Sequence, residues 1–437
     1  MRRPPASRVR PRHTAGAGLV VAVAVVAGAC TSPGGPETTD EPTATVSVFG
    51  PWRGTAADAF RESMEPFEQQ TGIDVVYTGS GDFTVDATRR LEDGDPPDVV
   101  VFPQPGLMSD LAERGYLVPP RADVAGIARS SHRQGLAEAA AEATSEAGIL
   151  YRLNVKSLVW YPPDVFTDRG YDVPETWAEL ETLAARIQAE GTAPWCLGVE
   201  SFEASGWPAT DWVEDIVLRS QPTDVYDAWV AGDIAFTDEE IAEAFTAFAE
   251  ITLATGRSFG ARRGILNTPV GSAQSPMFTD PAGCLLHRQA SFQADNLGPG
   301  TTIGPDGDTD VFVLPPTSTG TGPPPLLIGG TFASAATDTP QTWSLMSFLA
   351  SAEGSAGWVE RGGFLSPHRD VGPQDYPNEF DARVAQLLAD ADIVRFDASD
   401  QMDPAVGSGT FFQAMLDYIA TGRLEEALTL AQSGYAQ

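Results

Sequence analysis

Two rhythms of hydrophobic and polar positions, one of period two and one of period 3.6, trade places along the chain from Thr45 to Tyr116. The β-branched run Val46–Phe49 reads as a strand, broken by Gly50-Pro51-Trp52-Arg53-Gly54. Thr55 can then cap a helix whose Phe60, Met64 and Phe67 share one face, and Gly72 stops it. Ile73–Thr78 reads as a second strand, and Gly79-Ser80-Gly81-Asp82-Phe83 opens a second helix. Asp98–Phe102 is a third strand, followed by Pro103-Gln104-Pro105-Gly106. This alternation predicts an α/β fold with a mainly parallel sheet and crossover helices. Open α/β sheets bind ligands beyond the carboxyl ends of their strands, so these three loops are expected to share one cleft edge.

Further along, Gly148–Tyr161 is strand-like and reads as a crossing between two lobes. Trp177 to Gln293 is largely helical by pattern, with one stripe of Trp177, Leu180, Leu183, Ala184 and Ile187 and another of Ile241, Phe245, Phe248 and Ile251. Val311–Leu314 is a buried strand before the loop Pro315–Pro325, which is rich in Pro, Thr and Gly. Leu326–Phe332 reads as a strand returning to the first lobe, and a helix with Trp343, Met346, Phe348 and Leu349 follows. Gly362–Pro367 is expected to be a third crossing. Two amphipathic helices close the chain, one with Phe412, Met415, Leu416 and Ile419, stopped by Gly422, and one with Leu424, Ala427, Leu428 and Ala431.

The amino terminus changes the picture by assigning a compartment. Five arginines between Arg2 and Arg12 precede an apolar stretch from Ala15 to Ala29 that is too short and small-sided for a good membrane span. Residues 1–29 therefore read as a signal peptide, and Ala27-Gly28-Ala29-Cys30 makes it a lipoprotein signal with Cys30 as the lipid-attachment residue. Residues 30–44, polar and rich in Pro, Gly and Thr, read as a flexible tether. The expected location is extracytoplasmic, on the membrane through the lipid.

Loss of the leader's five arginines takes the net charge from −33 to −38, which argues against nucleic acid as a partner. Lys156 is the sole lysine. Cys196 and Cys284 are the remaining cysteines, and an even pair in an oxidising exterior is expected to be bridged. His132, His287 and His368 lie far apart in sequence, so no metal is expected, nor any cofactor.

The segments Asn154–Tyr161, Pro194–Ser201, Gly206–Trp212 and Gly363–Pro367, with the tail Val406–Phe412 and Gly422–Leu428, resemble the extracellular solute-binding proteins of carbohydrate ABC importers. The resemblance is to the maltose-binding type, family 1, and most to its α-glucoside-binding branch. It implies a periplasmic-binding-protein-like fold of two α/β lobes, each a mainly parallel sheet flanked by helices, joined by hinge strands. The amino-terminal lobe would take residues 45–154 and 330–362, and the carboxy-terminal lobe residues 155–329 and 363–437. It further implies a monomer that closes on a sugar and presents it to membrane permease subunits. The family's stacking aromatics fall on Phe102, Phe292 and Phe412, where Trp is common, and its polar contacts on Trp52, Arg53, Gln104 and Glu200.

A sugar site needs flat apolar faces for C–H surfaces and planar hydrogen-bonding groups for hydroxyls. Trp52 either lines the cleft or packs its own loop. Asp82 either accepts hydroxyls or caps the next helix. Gln104, between prolines, sits on a stiff loop suited to recognition. Trp207 and Glu200 are loop-like candidates, whereas Trp195 and Trp212 read as packing residues. Lys156 is either a surface charge or a hinge residue pointing inward. Gln289 and Phe364 are also candidates, and Arg288 is expected to pair with a carboxylate. Gly330 and Thr331 either let backbone approach a ligand or serve a hinge that needs glycine torsions.

Competing readings are a receptor for another solute such as a polyamine, a secreted glycosidase with paired carboxylates, and an adhesion module. No Gly-x-Ser-x-Gly elbow, His-Glu-x-x-His helix or P-loop is present. A non-enzymatic receptor is therefore the favoured expectation.

Overall fold

The computed structural model describes residues 44–133, 135–317 and 323–436. The expected leader, Cys30 and the tether as far as Thr43 lie outside the described residues, as does part of the Pro315–Pro325 loop. Among the described residues ten strands form two sheets: β1 (Ala44–Gly50), β2 (Ile73–Gly79), β3 (Val99–Phe102), β4 (Ile149–Val155), β5 (Leu158–Tyr161), β6 (Ala193–Trp195), β7 (Cys284–Arg288), β8 (Asp310–Val313), β9 (Leu326–Ala335) and β10 (Val394–Phe396). The first sheet has the order β10-β9-β3-β1-β2, with β4 also on β9, and the second is β6-β7-β5-β8. The fold is a two-lobed α/β architecture.

Strands β1, β2 and β3 run parallel, as their crossover helices require. The returning strand β9 enters antiparallel to β3 and β4, and β5 lies antiparallel to β7 and β8. All ten residues of β9 are buried, including the polar Thr331 and Ser334, as a strand covered on both faces in mid-sheet must be.

The helix Gly54–Thr71 buries Phe60, Met64 and Phe67 against the first sheet and ends with Gly72 at φ +69. It starts at Gly54 with Arg53 in the cap position, so Thr55 is not its cap. In the second lobe, the helix Trp177–Ala189 opens with a capping box of Thr176 and Glu179 and buries the expected stripe. The helix Trp207–Ser220 is buried at nearly every position, including Asp211, Glu214, Asp215 and Arg219.

The strands β6 and β7 fall inside the stretch read as helical. They are joined by the Cys196–Cys284 disulfide, which closes a loop of 88 residues. In the chain-entropy model such a loop closure contributes about 4–5 kcal/mol.

The expected third crossing at Gly362–Pro367 does not leave the first lobe. Phe364 and Leu365 pack in the first core, as do Phe380, Val384 and Leu388 of the helix Glu379–Asp390, and β10 pairs with β9. The chain passes to the second core between Phe396 and Ala398. The carboxy-terminal lobe therefore does not begin at residue 363 as expected, because the intervening apolar side chains are buried against the first sheet. Among the described residues no helix is long and apolar enough to cross a membrane.

Candidate functional site

A cleft of about 460 Å3 lies where the loops after β1, β2 and β3 face the start of the helix Trp207–Ser220. It gathers Trp52, Arg53, Asp82, Gln104, Lys156, Trp207, Phe292, Gly330, Thr331 and Phe412. A larger groove of about 970 Å3 runs between Asp110, Arg133, Asp227 and Arg395, but Phe396 is the only aromatic among its lining residues. The smaller cleft combines several rings with convergent polar groups, the composition expected of a small-molecule site.

The first wall is built from the carboxyl ends of strands, as open α/β sheets dictate. The Tyr77 hydroxyl accepts from the Trp52 amide at 2.8 Å and donates to the Trp52 carbonyl at 3.1 Å, pinning this loop to β2. Any side chain at Gly79 would collide with that carbonyl, since a Cβ there would lie 1.9 Å from it. Trp52 is 7% exposed and packs against Phe60, Tyr77, Tyr151 and Trp358, so it serves loop packing while one surface reaches the cleft. Arg53 and Asp82 are exposed. Asp82 makes no side-chain cap bond to the helix Phe83–Glu92, which removes the capping explanation for it. Gln104 accepts from the Thr84 hydroxyl at 2.9 Å, which leaves its amide NH2 to donate.

The opposite wall is aromatic with a charged floor. Trp207 opens its helix and lies 6.1 Å from the Phe292 ring. Phe412 begins the helix Phe412–Thr421 directly after a π-helical segment, Ala405–Phe411, a distortion common at functional sites. Lys156 sits between β4 and β5 with its ammonium 5.7 Å from the Trp207 ring. It donates to Asp211 at 3.1 Å and to Asp397, and lies 3.5 Å from Asp400. Burial works against its charge, but the attraction of these carboxylates wins and holds Lys156 well above the usual lysine range. It thus points inward between these two strands and is not a surface charge.

Behind this lysine the charges are oversubscribed. Arg288 donates to Asp215 at 2.9 Å and to Asp211 at 3.3 Å, and Arg219 also donates to Asp215. Lys156, Arg219 and Arg288 therefore face Asp211, Glu214, Asp215, Asp397 and Asp400, two more carboxyl groups than cations. Burial pushes Asp211 up to about 7 and Glu214 and Asp400 well above the carboxylate range. Burial opposes Asp397 as well, yet Lys156 and hydrogen bonds from Asp211 and Glu214 hold it ionised. Carboxyl oxygens of Asp211, Glu214 and Asp397 lie within 4.8 Å of one another, a spacing that suits a metal. The Lys156 ammonium already supplies positive charge to two of them.

Gly329 and Gly330 are explained by close packing, since neither has positive φ. A Cβ at Gly329 would lie 2.9 Å from Lys156 Cε, and one at Gly330 would lie 2.7 Å from the Phe332 ring. The hinge-torsion explanation therefore falls away.

Four expected contacts lie elsewhere. Phe102 is fully buried, edge-on to Phe83 at 5.5 Å, because all four residues of β3 are core. Phe364 is packed between Tyr151 and Trp358. Gln289 is buried and its side chain accepts from the Ala290 amide at 2.8 Å. Glu200 accepts from the Phe202 amide at 3.2 Å and is not part of the cleft lining. In their place the cleft includes Arg152, Asn154, Asp211, Asp295 and Asp400. Arg152 donates to the Gly363 carbonyl and lies 3.5 Å from Asp295. A signal for part of this set was present: polar Arg152, Asn154 and Lys156 alternate with apolar Tyr151, Leu153 and Val155, so a strand puts them on one face.

This fold and this cleft between two lobes define a solute receptor, and residues 53–356 match the family described as bacterial extracellular solute-binding protein. The chain belongs to that family, whose members bind solutes for ABC importers outside the cytoplasm. It is 39% identical over 402 residues to the osmoprotective compounds-binding protein GgtB of Synechocystis sp., covering 92% of this chain and 94% of the relative. It is 34% identical over 386 residues to the alpha-glucosides-binding periplasmic protein AglE of Rhizobium meliloti, covering 86% and 83%. Among solved structures, the bacterial solute receptor AcbH, described as preferring β-D-galactopyranose, matches with a TM-score of 0.75. It has 18% identity and covers 90% of this chain and 98% of that one.

Proposed function

We propose that this chain is a receptor for an α-glucoside or related small glucosyl compound, which it binds between the two walls of the cleft and delivers to an ABC permease. What carries this reading is that Trp207, Phe292 and Phe412 line the same cleft as the hydrogen-bonding groups of Arg53, Asp82 and Gln104. Rings can cover the C–H face of a pyranose while the opposite loops take its hydroxyls. Two relatives carry names that fit: one binds α-glucosides and the other osmoprotective compounds. A solute touching both walls gains its full contacts only when the lobes close, so it shifts the population toward the closed form. Cys30 would carry the lipid and residues 31–43 the tether, raising the receptor's concentration near its permease.

The protein is proposed to act as a monomer with no catalysis of its own. A second reading, a polyamine receptor, draws on the carboxylates Asp82, Glu203, Asp211, Asp295 and Asp400 in the lining, against Arg53, Arg152 and Lys156. Thermal-shift measurements on residues 31–437 with maltose, trehalose, sucrose, glucose and spermidine separate the two. Stabilisation by an α-glucoside without its turnover is the expected result. Stabilisation by spermidine alone would overturn the sugar reading, and hydrolysis of a bound glycoside would make the protein an enzyme.

A further inference from the structure

The most exposed large apolar side chain among the described residues is Phe202, at 65%. It is also one of four non-glycine residues at positive φ among the described residues, with φ +50. An aromatic residue in that region is strained, and such strain persists only where the surroundings enforce it. Here the enforcement is visible. Glu200 accepts from the Phe202 amide at 3.2 Å, and the Ser205 hydroxyl and amide donate to the Phe202 carbonyl at 2.7 and 3.1 Å.

The base of this loop is equally fixed. Glu200 exchanges backbone hydrogen bonds with Thr268 and Val270, and the Gly206 amide donates to the Val199 carbonyl at 3.0 Å. Gly206, at φ +112, lies so close to Phe412 that a Cβ there would be 2.7 Å from the Phe412 carbonyl oxygen. The loop is thus clamped beside a cleft aromatic and held open at its tip. Ser201, Glu203 and Ala204, on either side of Phe202, all line the cleft, while the Phe202 ring is not itself among the lining residues and stands exposed beside them.

We propose that Phe202 is a specificity-determining cap of the cleft, which covers the outer unit of a bound glucoside at the mouth, and that Glu200 is its positioning residue. The proposal rests on the glucoside reading and sharpens it. A ring at the rim rewards a solute of two linked units over a single hexose, because only the longer solute reaches the mouth. The expected role of Glu200 in direct contact is replaced by one in holding the backbone that presents the ring.

The test is calorimetric titration of residues 31–437 with maltose, trehalose and glucose in wild type, Phe202→Ala, Phe202→Gly, Glu200→Ala and Glu200→Gln, with ligand-free thermal unfolding of each. Both Phe202 variants should bind the preferred disaccharide about tenfold more weakly and glucose unchanged. Glu200→Ala should follow in the same direction, while Glu200→Gln, which keeps an acceptor oxygen, should restore binding. Phe202→Gly should unfold at or above the wild-type temperature, since glycine tolerates this φ. Unchanged disaccharide affinity in both Phe202 variants would overturn the cap. So would unchanged affinity with weaker stimulation of the permease ATPase, which would assign the ring to that partner. If wild type binds none of the three sugars, the glucoside reading fails by itself. A lower unfolding temperature in Phe202→Gly would by itself overturn the cap, because the ring would then be packed in the free protein.

Discussion

Arg53 and Lys156 each bring a positive charge to the same cleft, and their surroundings could hardly differ more. Arg53 is exposed on a loop and forms no ion pair among the described residues, whereas Lys156 is buried against Asp211, Asp397 and Asp400. The first wall can therefore change its contacts at little cost to the fold. The second wall cannot, because removing one charge from a buried network leaves the others uncompensated. Recognition by the exposed loops is separable from stability, whereas for the buried charges beneath the aromatic wall the two are the same interaction.

The strongest way to break this contrast is Lys156→Met. It leaves Asp397 ionised and unpaired, and the expected loss is about 3–5 kcal/mol of stability, read by urea unfolding. A loss under about 1 kcal/mol would mean that the network holds itself together by sharing protons, and the contrast would collapse.

Acid sharpens the comparison from the other side. His132 and His368 meet at 4.9 Å in the first lobe, both buried, and neither ring nitrogen of His132 has a partner among the described residues. Burial lowers His132 to about 3 and His368 to about 4, with Arg369 and the neighbouring imidazole adding to the effect at His132 and Asp370 opposing it at His368. A base depressed in the folded state binds its proton first in the unfolded chain. Stability is therefore complete above about pH 6.5 and falls by about 1.4 kcal/mol per pH unit per imidazole below it. His132→Phe gives up no hydrogen bond and should recover about 2 kcal/mol at pH 5 while changing little at pH 7.5. Parallel stability profiles for the two proteins would refute this.

Arg53→Ala is the smallest change in stability, within about 0.5 kcal/mol, since it removes an exposed and unpaired side chain. Its effect belongs to binding, and an affinity loss of about three- to tenfold is expected by calorimetry. A clear drop in unfolding temperature would show that the first wall, too, is structural.

These differences also explain what could be read from sequence. The strands β1 to β3, the loops after them and the helix stops at Gly72 and Gly422 carry local signals, and they fall where expected. Strands β6 and β7 do not, because three- and five-residue segments with buried His287 and Arg288 lack the alternation that marks a half-buried strand. Phe102 was expected in the cleft, yet a run of four apolar residues is better satisfied inside the core. Lys156 finds Asp397 at a sequence distance of 241, and nothing near either residue announces the other. The exposed half of the site was therefore legible as loop chemistry. The buried half depends on long-range charge pairing, of which only the alternation of Arg152, Asn154 and Lys156 left a trace.

The central claim is that a glucoside binds between these walls, against the aromatic face. Calorimetric titration of Trp207→Ala with the α-glucoside that most stabilises the wild type tests it most directly. Loss of a stacking ring at the centre of the site should weaken binding about ten- to hundredfold, with unfolding near the wild-type temperature. Undiminished affinity in a folded Trp207→Ala protein would contradict the account and move the ligand out of this cleft.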